Sequence, residues 1–412
     1  MVLSGNFGLE TKDMEGRTAL LYAVQQNYNQ DAIDLLRKGA DVSAKDKNGR
    51  TILHIAMHTG NMSLTMLLLD RGISAMPRDS KGSIPLHYAA VAGQTDIISA
   101  LLTCSGPSMD RFDIEAENRN GYTALQLASL NGRHSTVQLL LSHGASYATI
   151  NGARGMNAAH MAAERGQTDI MTVFTQWGFK IDTPSAKEMT ALHYASANGH
   201  DKTILFLLEQ GARIDVKCPS NGWSPLFYSI CNGHEAASQV LIERGADVHT
   251  VEATGFPLLH TLAFNDTPEG LRILFENGVD IESEDRMGNT PLLYAVRAKS
   301  FGALQLLLEI GANPGAKERQ DGSTALHYAA SKGQLLAAQL LISFGAHVDT
   351  KDYSGNVPLH LAVINGQEEC VRLLLDSSAD IKAKDKAGQT ALQLAAIHNQ
   401  SAIMSMLILS NS

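Results

Sequence analysis

The sequence predicts an all-α solenoid, a stack of helix-turn-helix units joined by short β-hairpin fingers. Two observations support this fold class. A phrase that starts at Gly16 and continues Arg-Thr-Ala-Leu-Leu-Tyr-Ala recurs through the 412 residues, at intervals of 33 or 34 residues and once of 39. Each copy is followed by two short apolar segments separated by a turn. A fixed period of this length is typical of repeat arrays, in which each unit buries its apolar side only against its neighbours.

The first residue of the phrase locates every repeat. The twelve copies start at Gly16, Gly49, Gly82, Gly121, Gly155, Glu188, Gly222, Gly255, Gly288, Gly322, Gly355 and Gly388. With the polar links that precede them, we expect repeats to begin near residues 12, 45, 78, 117, 151, 184, 218, 251, 284, 318, 351 and 384. The prediction is one repeat domain over residues 1–412, with a six-residue insertion near 103–114.

Within a repeat, each element has a local cause. Thr18 can cap the first helix, because its hydroxyl can accept from the exposed amides of the first turn. Leu20 and Ala23 lie three residues apart and give that helix a small apolar face. A glycine such as Gly60 then allows a left-handed turn. The second helix carries apolar groups and ends at a glycine such as Gly39, as glycine C-caps do.

The repeat resembles the ankyrin repeat over essentially the whole chain. The family phrase Thr-Pro-Leu-His-x-Ala is approached by Leu86-His87-Tyr-Ala-Ala and by Leu359-His360-Leu-Ala, and its Gly-His turn by Gly233-His234. The resemblance implies a helix-turn-helix stack with fingers and first helices on its concave side. It is specific for the fold and nearly silent on function.

Departures from the repeat identify places that differ locally. The turn glycine of the first helix pair is replaced by Asn27, Asp266, Lys299 and Asn399, where we expect looser turns. The interval of 39 residues places extra chain between Leu102 and Glu117. Its residues Met109, Arg111 and Phe112 could form a flap over Tyr122 or a tolerated surface loop, since long loops cost little entropy to close.

Composition excludes several classes of protein. A net charge of -9 gives no basic face for general nucleic-acid binding. No stretch reaches 18 consecutive apolar residues, so we expect no membrane insertion, and the N-terminus lacks a secretory signal. Four cysteines without a C-x-x-C pair indicate no disulfide framework. The expected location is therefore the cytoplasm, with the nucleus also compatible.

Seven of the fifteen histidines share one repeat position, five residues after the start. They are His54, His87, His160, His193, His260, His327 and His360. Copies in adjacent repeats should lie roughly 10 Å apart, whereas a zinc ligand lies about 2.0–2.1 Å from the ion. We therefore predict no metal site, and rings that hydrogen-bond the backbone between neighbouring repeats.

Other chemical signatures are absent or weak. The sequence has no G-x-S-x-G, His-Glu-x-x-His, P-loop or dinucleotide-binding motif. Gly152-Ala-Arg-Gly155 resembles a phosphate loop only loosely, and Cys231 is more simply a small residue than a reactive thiol. The prediction is a protein without enzyme activity and without a cofactor.

Positions that vary between repeats suggest where a partner binds. The residue after each start position is polar in repeats one to three and nine to twelve, but large and apolar in repeats four to eight. The residues nine and ten positions after the start should lie at the inner-helix tip, and several copies there carry Asn. Apolar anchors beside amides suit a bound peptide. The predicted partner-binding residues are Tyr122, Asn131, Arg154, Met156, Arg165, Met189, Asn198, Trp223, Asn232, Phe256, Phe264 and Asn265.

The sequence thus predicts an intracellular scaffold that binds a partner protein or peptide on the concave face of repeats four to eight. A first alternative is a small-molecule binder or unconventional enzyme that uses the same groove, for which a closed pocket walled by Trp223, Phe256 and the insertion would be required. A second alternative is the repeat portion of a larger machine, such as a channel or a ubiquitin-ligase adaptor. Weak self-association through the apolar last helix, Ser401 to Leu409, is also expected.

Overall fold

The computed structural model describes residues 8–103, 113–150, 152, 154–253 and 255–410. Over these residues the chain is an all-α repeat solenoid. Most of the predicted insertion, including Met109, Arg111 and Phe112, lies outside the described residues, so the flap stays a prediction.

Twenty-four helices occur in the described ranges, two in each predicted repeat. The helices are α1 (Ala19–Gln25), α2 (Asn29–Arg37), α3 (Ile52–Thr59), α4 (Met62–Asp70), α5 (Pro85–Ala92), α6 (Thr95–Thr103), α7 (Ala124–Leu130), α8 (His134–Ser142), α9 (Ala158–Glu164), α10 (Thr168–Gln176), α11 (Ala191–Ala197), α12 (Asp201–Glu209), α13 (Pro225–Cys231), α14 (Glu235–Glu243), α15 (Leu258–Phe264), α16 (Pro268–Glu276), α17 (Pro291–Ala298), α18 (Phe301–Glu309), α19 (Ala325–Ser331), α20 (Leu335–Ser343), α21 (Pro358–Ile364), α22 (Glu368–Asp376), α23 (Ala391–Ile397) and α24 (Ser401–Leu409).

The contacts divide the chain into two compact units, an N-terminal unit (Met1–Ile214) with α1–α12 and a C-terminal unit (Asp215–Ser412) with α13–α24. In the N-terminal unit, first helices pack on first helices, as α3 does on α5, and second helices on second helices, as α6 does on α8. The C-terminal unit repeats this with α19 on α21 and α16 on α18. Each unit is therefore stabilised by contacts between neighbouring repeats.

Leucine and alanine at fixed repeat positions fill the space between repeats. Leu53, Leu86 and Ala89 of the N-terminal unit are completely buried, as are Leu326 and Ala329 of the C-terminal unit. Burying one leucine side chain stabilises the fold by about 1.5–3 kcal/mol. Alanine contributes less area but lets two helices approach closely.

The first helix starts at a side-chain cap, as the sequence predicted. The Thr18 hydroxyl accepts a hydrogen bond from the backbone N–H of Leu21 at 3.4 Å. The predicted left-handed turns after the first helix are also confirmed where glycine is replaced, because Asn27, Asp266, Lys299 and Asn399 all have φ between 55° and 62°. Their turns keep the geometry of the glycine turns rather than loosening.

The fingers form without β-strands in the described residues, where only isolated bridges occur, such as Lys317 with Thr324. An aspartate side chain replaces much of the strand pairing. Asp46 Oδ1 accepts from the N–H groups of Asn48 and Arg50, at 2.9 and 2.8 Å. The tip then joins the finger before it, since the Lys47 N–H donates to the Glu15 carbonyl at 3.0 Å. The fingers are turns held by side chains and by their neighbours.

Candidate functional site

The repeated histidines link neighbouring repeats through the backbone. The Thr51 N–H donates to His54 Nδ1 at 3.1 Å, so Nδ1 has no hydrogen and Nε2 carries it. Nε2 lies 2.9 Å from the Ser83 carbonyl oxygen, to which it donates. The ring of His54 is thus neutral and satisfied on both sides.

The same bond to a carbonyl recurs in five further repeats, which confirms that these rings hydrogen-bond the backbone. Nε2 of His87, His160, His260, His327 and His360 lies 2.9–3.1 Å from the oxygen of Ala116, Thr183, Asn289, Asn356 and Ala383, respectively. Burial lowers the pKa of these imidazoles, and that of His160 to about 4.

Glutamine performs the same task where histidine is missing. The Thr123 N–H donates to Gln126 Oε1 at 2.9 Å, and Gln126 Nε2 donates to the carbonyls of Thr149 and Met156, both at 3.1 Å. A side chain with no metal affinity of note therefore substitutes for the ring. In the described part of the chain, no three His, Cys, Asp or Glu side chains are grouped so that they could hold a metal ion.

Cysteine chemistry receives no support from the site geometry. Burial raises the pKa of the Cys231 thiol to about 12, with the nearby Glu252 carboxylate acting in the same direction. At neutral pH this residue is a thiol and not the thiolate that attacks electrophiles. Cys218 is buried.

The predicted finger residues of the N-terminal unit differ in exposure. Met156 is 1% exposed, so it packs inside its repeat and presents nothing to a partner. Tyr122 and Met189 are half-buried. Arg154 forms an ion pair with Glu164, and this hydrogen-bonded contact raises the pKa of the Arg154 guanidinium.

Residues at the helix tips of the N-terminal unit are exposed, but two of them hydrogen-bond to their own helix. The Asn131 side-chain amide donates to the Leu127 carbonyl at 2.8 Å, and that of Asn198 donates to the Tyr194 carbonyl at 2.9 Å. Both asparagines thus use a donor to cap their own helix. Arg165 is exposed.

In the C-terminal unit the predicted aromatic residues pack against further rings. The ring centroid of Trp223 lies 4.6 Å from that of Phe227 in a stacked pair and 5.1 Å from that of Tyr228. Phe256 meets Tyr294 edge-on at 4.8 Å. Trp223 and Phe256 remain half-buried. Packing within the unit thus holds these rings in place.

The helix tips of repeats seven and eight are more open. Phe264 is 52% exposed at the end of α15, and Asn232 and Asn265 are exposed. The folded protein leaves the Phe264 ring exposed to water, although burial of a phenylalanine side chain stabilises by about 1.5–3 kcal/mol. It is the most accessible aromatic residue of the predicted set.

The sequence reasoning missed a recurrent tyrosine. The sixth residue after the start position is tyrosine in six repeats, at Tyr22, Tyr88, Tyr194, Tyr228, Tyr294 and Tyr328. The Tyr294 hydroxyl donates to Asp285 at 2.7 Å, and burial together with this carboxylate raises the pKa of Tyr294 to about 12. The hydroxyls of Tyr88, Tyr194, Tyr228 and Tyr294 thus attach the first helix to the finger of the same repeat. The regular spacing of the tyrosines was the signal that could have revealed them.

Clefts of about 330 and about 500 Å³ open among the described residues. Neither Trp223 nor Phe256 lines either of these clefts. The small-molecule alternative therefore stays a prediction. None of the helices in the described ranges has the length and apolar character that crossing a membrane requires.

Known proteins share the repeat with this chain. Human transient receptor potential cation channel subfamily A member 1 is 30% identical over 217 residues, which are 50% of this chain and 19% of the channel. The B-cell lymphoma 3 protein homolog of Mus musculus is 28% identical over 187 residues, 44% of this chain and 42% of that protein. The chain thus spans less than half the length of either relative.

Comparison with solved structures gives a similar neighbour. The crystal structure of the ankyrin repeat domain of Bcl-3, described as a unique member of the IkappaB protein family, matches with a TM-score of 0.49 and 27% identity. The match covers 53% of this chain and 98% of that domain.

The family profile described as ankyrin repeats (three copies) matches almost the entire chain. Its matches cover residues 20–113, 110–185, 176–252, 249–318, 311–385 and 354–412. The chain therefore belongs to the ankyrin repeat family.

Proposed function

We propose that this protein is a non-enzymatic scaffold that binds a partner protein through the finger side of its repeats. Ankyrin repeats are generally protein–protein interaction modules, which supports the general assignment. The observation that carries the finer proposal is the exposure of Phe264 in the same unit as the packed, half-buried rings of Trp223 and Phe256.

Prior packing of these rings favours binding. Trp223 rests on Phe227 and Tyr228, and Phe256 rests on Tyr294, so their side chains lose little rotamer freedom when a partner covers them. Ordering a mobile side chain at an interface costs about 0.5–1.5 kcal/mol. Tryptophan and tyrosine are also the residues that most often dominate interface energetics.

Polar groups at the helix tips of the C-terminal unit suit a peptide backbone. Asn232 and Asn265 are exposed one position after Cys231 and Phe264, at the tips of adjacent repeats. An asparagine amide both donates and accepts, as a peptide group does. The proposal is therefore an extended segment of a partner protein whose apolar side chains contact Phe264.

The N-terminal unit contributes a second, more polar surface to the proposal. Its candidates are Tyr122, Asn131, Arg154, Arg165, Met189 and Asn198. Because Met156 is buried and Arg154 is paired with Glu164, this surface is weaker in apolar contact than that of the C-terminal unit. We place the protein in the cytoplasm or nucleus, where its cysteines stay reduced.

The test is alanine substitution of an exposed phenylalanine. Phe264→Ala is expected to weaken capture of the partner about 30-fold, the equivalent of about 2 kcal/mol. The measurement is quantitative pull-down followed by titration of the captured protein. Phe275→Ala is the matched control, because Phe275 is 40% exposed in the same repeat but on the second helix, α16.

Circular dichroism of each variant checks that the fold is intact. Asn356→Ala, in repeat eleven, should also leave binding unchanged. Equal losses for Phe264→Ala and Phe275→Ala would contradict the proposed surface.

A further inference from the structure

A cleft of about 330 Å³ opens between repeats nine and ten of the C-terminal unit. Phe301 and Leu304 of α18 form one wall, and Leu335 and Leu336 of α20 form another. Phe301 is 41% exposed and Leu336 is 65% exposed, so the cleft presents apolar surface to water. Its volume lies at the lower end of the range of small-molecule sites, roughly 300–1,000 Å³.

A side-chain link that some repeats make to the preceding repeat is absent at the cleft. In those repeats the residue before the second helix donates from its side chain to a carbonyl of the preceding repeat. Arg133 does so to Val91 at 2.8 Å, and Ser300 to Phe264 at 2.7 Å. The corresponding residue of repeat ten is Gln334, whose side chain makes no such bond within the described residues and lines the cleft instead.

The preceding pair of repeats shows which chemical group completes this arrangement. There, Asp266 Oδ1 accepts from the backbone N–H of Ala303, in the first turn of α18, at 2.7 Å. The equivalent residues one repeat later are Lys299 and Ala337. An ammonium thus replaces the carboxylate. Ala337 is 7% exposed, and its N–H has no acceptor among the described residues.

The charges at the cleft favour an anion. No hydrogen bond or ion pair to the Lys299 ammonium occurs within the described ranges, and no Asp or Glu is among the residues that line the cleft. The first turn of α20 adds partial positive charge. The other lining lysine, Lys332, holds its ammonium 5.9 Å from the Tyr328 ring centroid. Of the two lining lysines, Lys299 is thus the one whose ammonium has no contact of this kind within the described residues, and it can turn to a ligand without giving up a ring.

We propose that this cleft binds a free medium-chain fatty acid. The ligand carboxylate occupies the place that the Asp266 carboxylate holds one repeat earlier, and accepts hydrogen bonds from the Ala337 N–H and from Lys299 Nζ. Its alkyl chain lies between Phe301 and Leu336, which shields the apolar surface that both expose. The site shares no residue with the surface proposed for the protein partner, so either can fail without the other.

The experiment is calorimetric titration of the full chain with octanoate, and with octanol as the uncharged probe of equal chain length. Octanoate should bind and octanol should bind at least about tenfold more weakly, because the charge-assisted hydrogen bonds are lost. Lys299→Met should weaken octanoate binding by a similar factor. Lys202→Met, which changes an exposed lysine of the N-terminal unit, should leave octanoate binding unchanged.

Lys299→Asp tests the proposed carboxylate position through a gain of stability as well as a loss of binding. It supplies the carboxylate that Asp266 supplies to Ala303, so it should abolish octanoate binding and raise the melting temperature of the ligand-free protein. Octanoate binding that persists in Lys299→Asp, equal binding of octanol, or no octanoate binding by the wild-type protein would each overturn the proposal. Binding of a peptide that contains glutamate next to leucine, in the absence of octanoate binding, would also overturn the proposal.

Discussion

At the residue scale, the buried histidine is the device that recurs most often. Most of these rings accept from a backbone N–H of their own repeat and donate to a backbone carbonyl at or just before the next finger, as His54 does between Thr51 and Ser83. Each hydrogen bond of this kind contributes about 0.5–1.5 kcal/mol to the free energy of unfolding. The arrangement requires a neutral ring, because a protonated Nδ1 could not accept.

This requirement predicts a loss of stability in acid. Burial lowers the pKa of His160 from 6.5 to about 4, so between these values the unfolded chain binds a proton that the folded chain does not. The free energy of unfolding should therefore fall as pH falls from about 6.5 towards 4, by up to about 1.4 kcal/mol per pH unit for this residue. Urea unfolding at several pH values measures it.

His160→Gln provides the control for that experiment. Gln126 shows that glutamine can make the same hydrogen bonds without titrating. The variant should fold and should show a flatter dependence of stability on pH, by about 1 kcal/mol per unit. An unchanged slope would show that His160 is not a source of the acid sensitivity.

One repeat lacks half of the histidine device. Pro257 occupies the position whose N–H donates to the ring in other repeats, and proline has no N–H. His260 Nδ1 is accordingly buried without a partner in the described structure. Pro257→Thr restores the donor. An unsatisfied buried group costs about 1–3 kcal/mol, and loss of proline costs about 0.4–1 kcal/mol through the unfolded chain.

We therefore expect Pro257→Thr to raise the free energy of unfolding by about 1 kcal/mol. The measurement is urea denaturation, made also in a His260→Leu background. There the new donor has no acceptor, and the gain should vanish. A gain of equal size in both backgrounds would assign the effect to the backbone and not to His260.

At the element scale, the helices and turns could be predicted because their causes are local. Thr18 specifies a helix start, and a residue with positive φ specifies the turn that follows the first helix. The fingers were predicted less well. Their expected strands are replaced by side-chain caps such as Asp46. To predict such a cap, one must know where the carboxylate points, and the repeat period does not give this.

The start position of repeat six offers a test of turn geometry. Glu188 has a φ of 59° where other repeats carry glycine, a conformation that costs an ordinary residue roughly 1–2 kcal/mol. Glu188→Gly should raise the free energy of unfolding by about 0.5–1 kcal/mol, after the added entropy of glycine in the unfolded chain. Glu188→Ala keeps the β-carbon and should bring no gain. Thermal unfolding of both variants distinguishes them.

At the scale of the whole molecule, the sequence predicts the fold better than the site. The period shows which residues share a repeat position, but not how far each side chain is buried. Tyr122 and Met156 occupy the same position, yet one is half-buried and the other is 1% exposed. The finger of repeat five carries Gly152 where others carry a capping aspartate such as Asp46. Side-chain direction depends on such local differences.

Exposure at the last helix carries a prediction about association between molecules. Ile403 and Leu407 of α24 are each 1% exposed, whereas Ile408 is 55% and Leu409 is 75% exposed. Met404 and Met406 are half-buried. Only a minority of the apolar side chains of this helix is therefore covered well. Adjacent exposed aliphatic residues of this kind favour contact with another surface.

We expect weak self-association through this patch, with a dissociation constant on the order of 0.1–1 mM, because two aliphatic side chains per molecule bury little area. Sedimentation velocity should show a coefficient that rises with concentration in the wild-type protein. The double variant Ile408→Glu and Leu409→Glu should remove the rise, since it would bury four carboxylates at a contact between two copies. Ile150→Glu, at a residue 41% exposed in the N-terminal unit, should not. A wild-type protein that stays monomeric at high concentration would contradict the expectation.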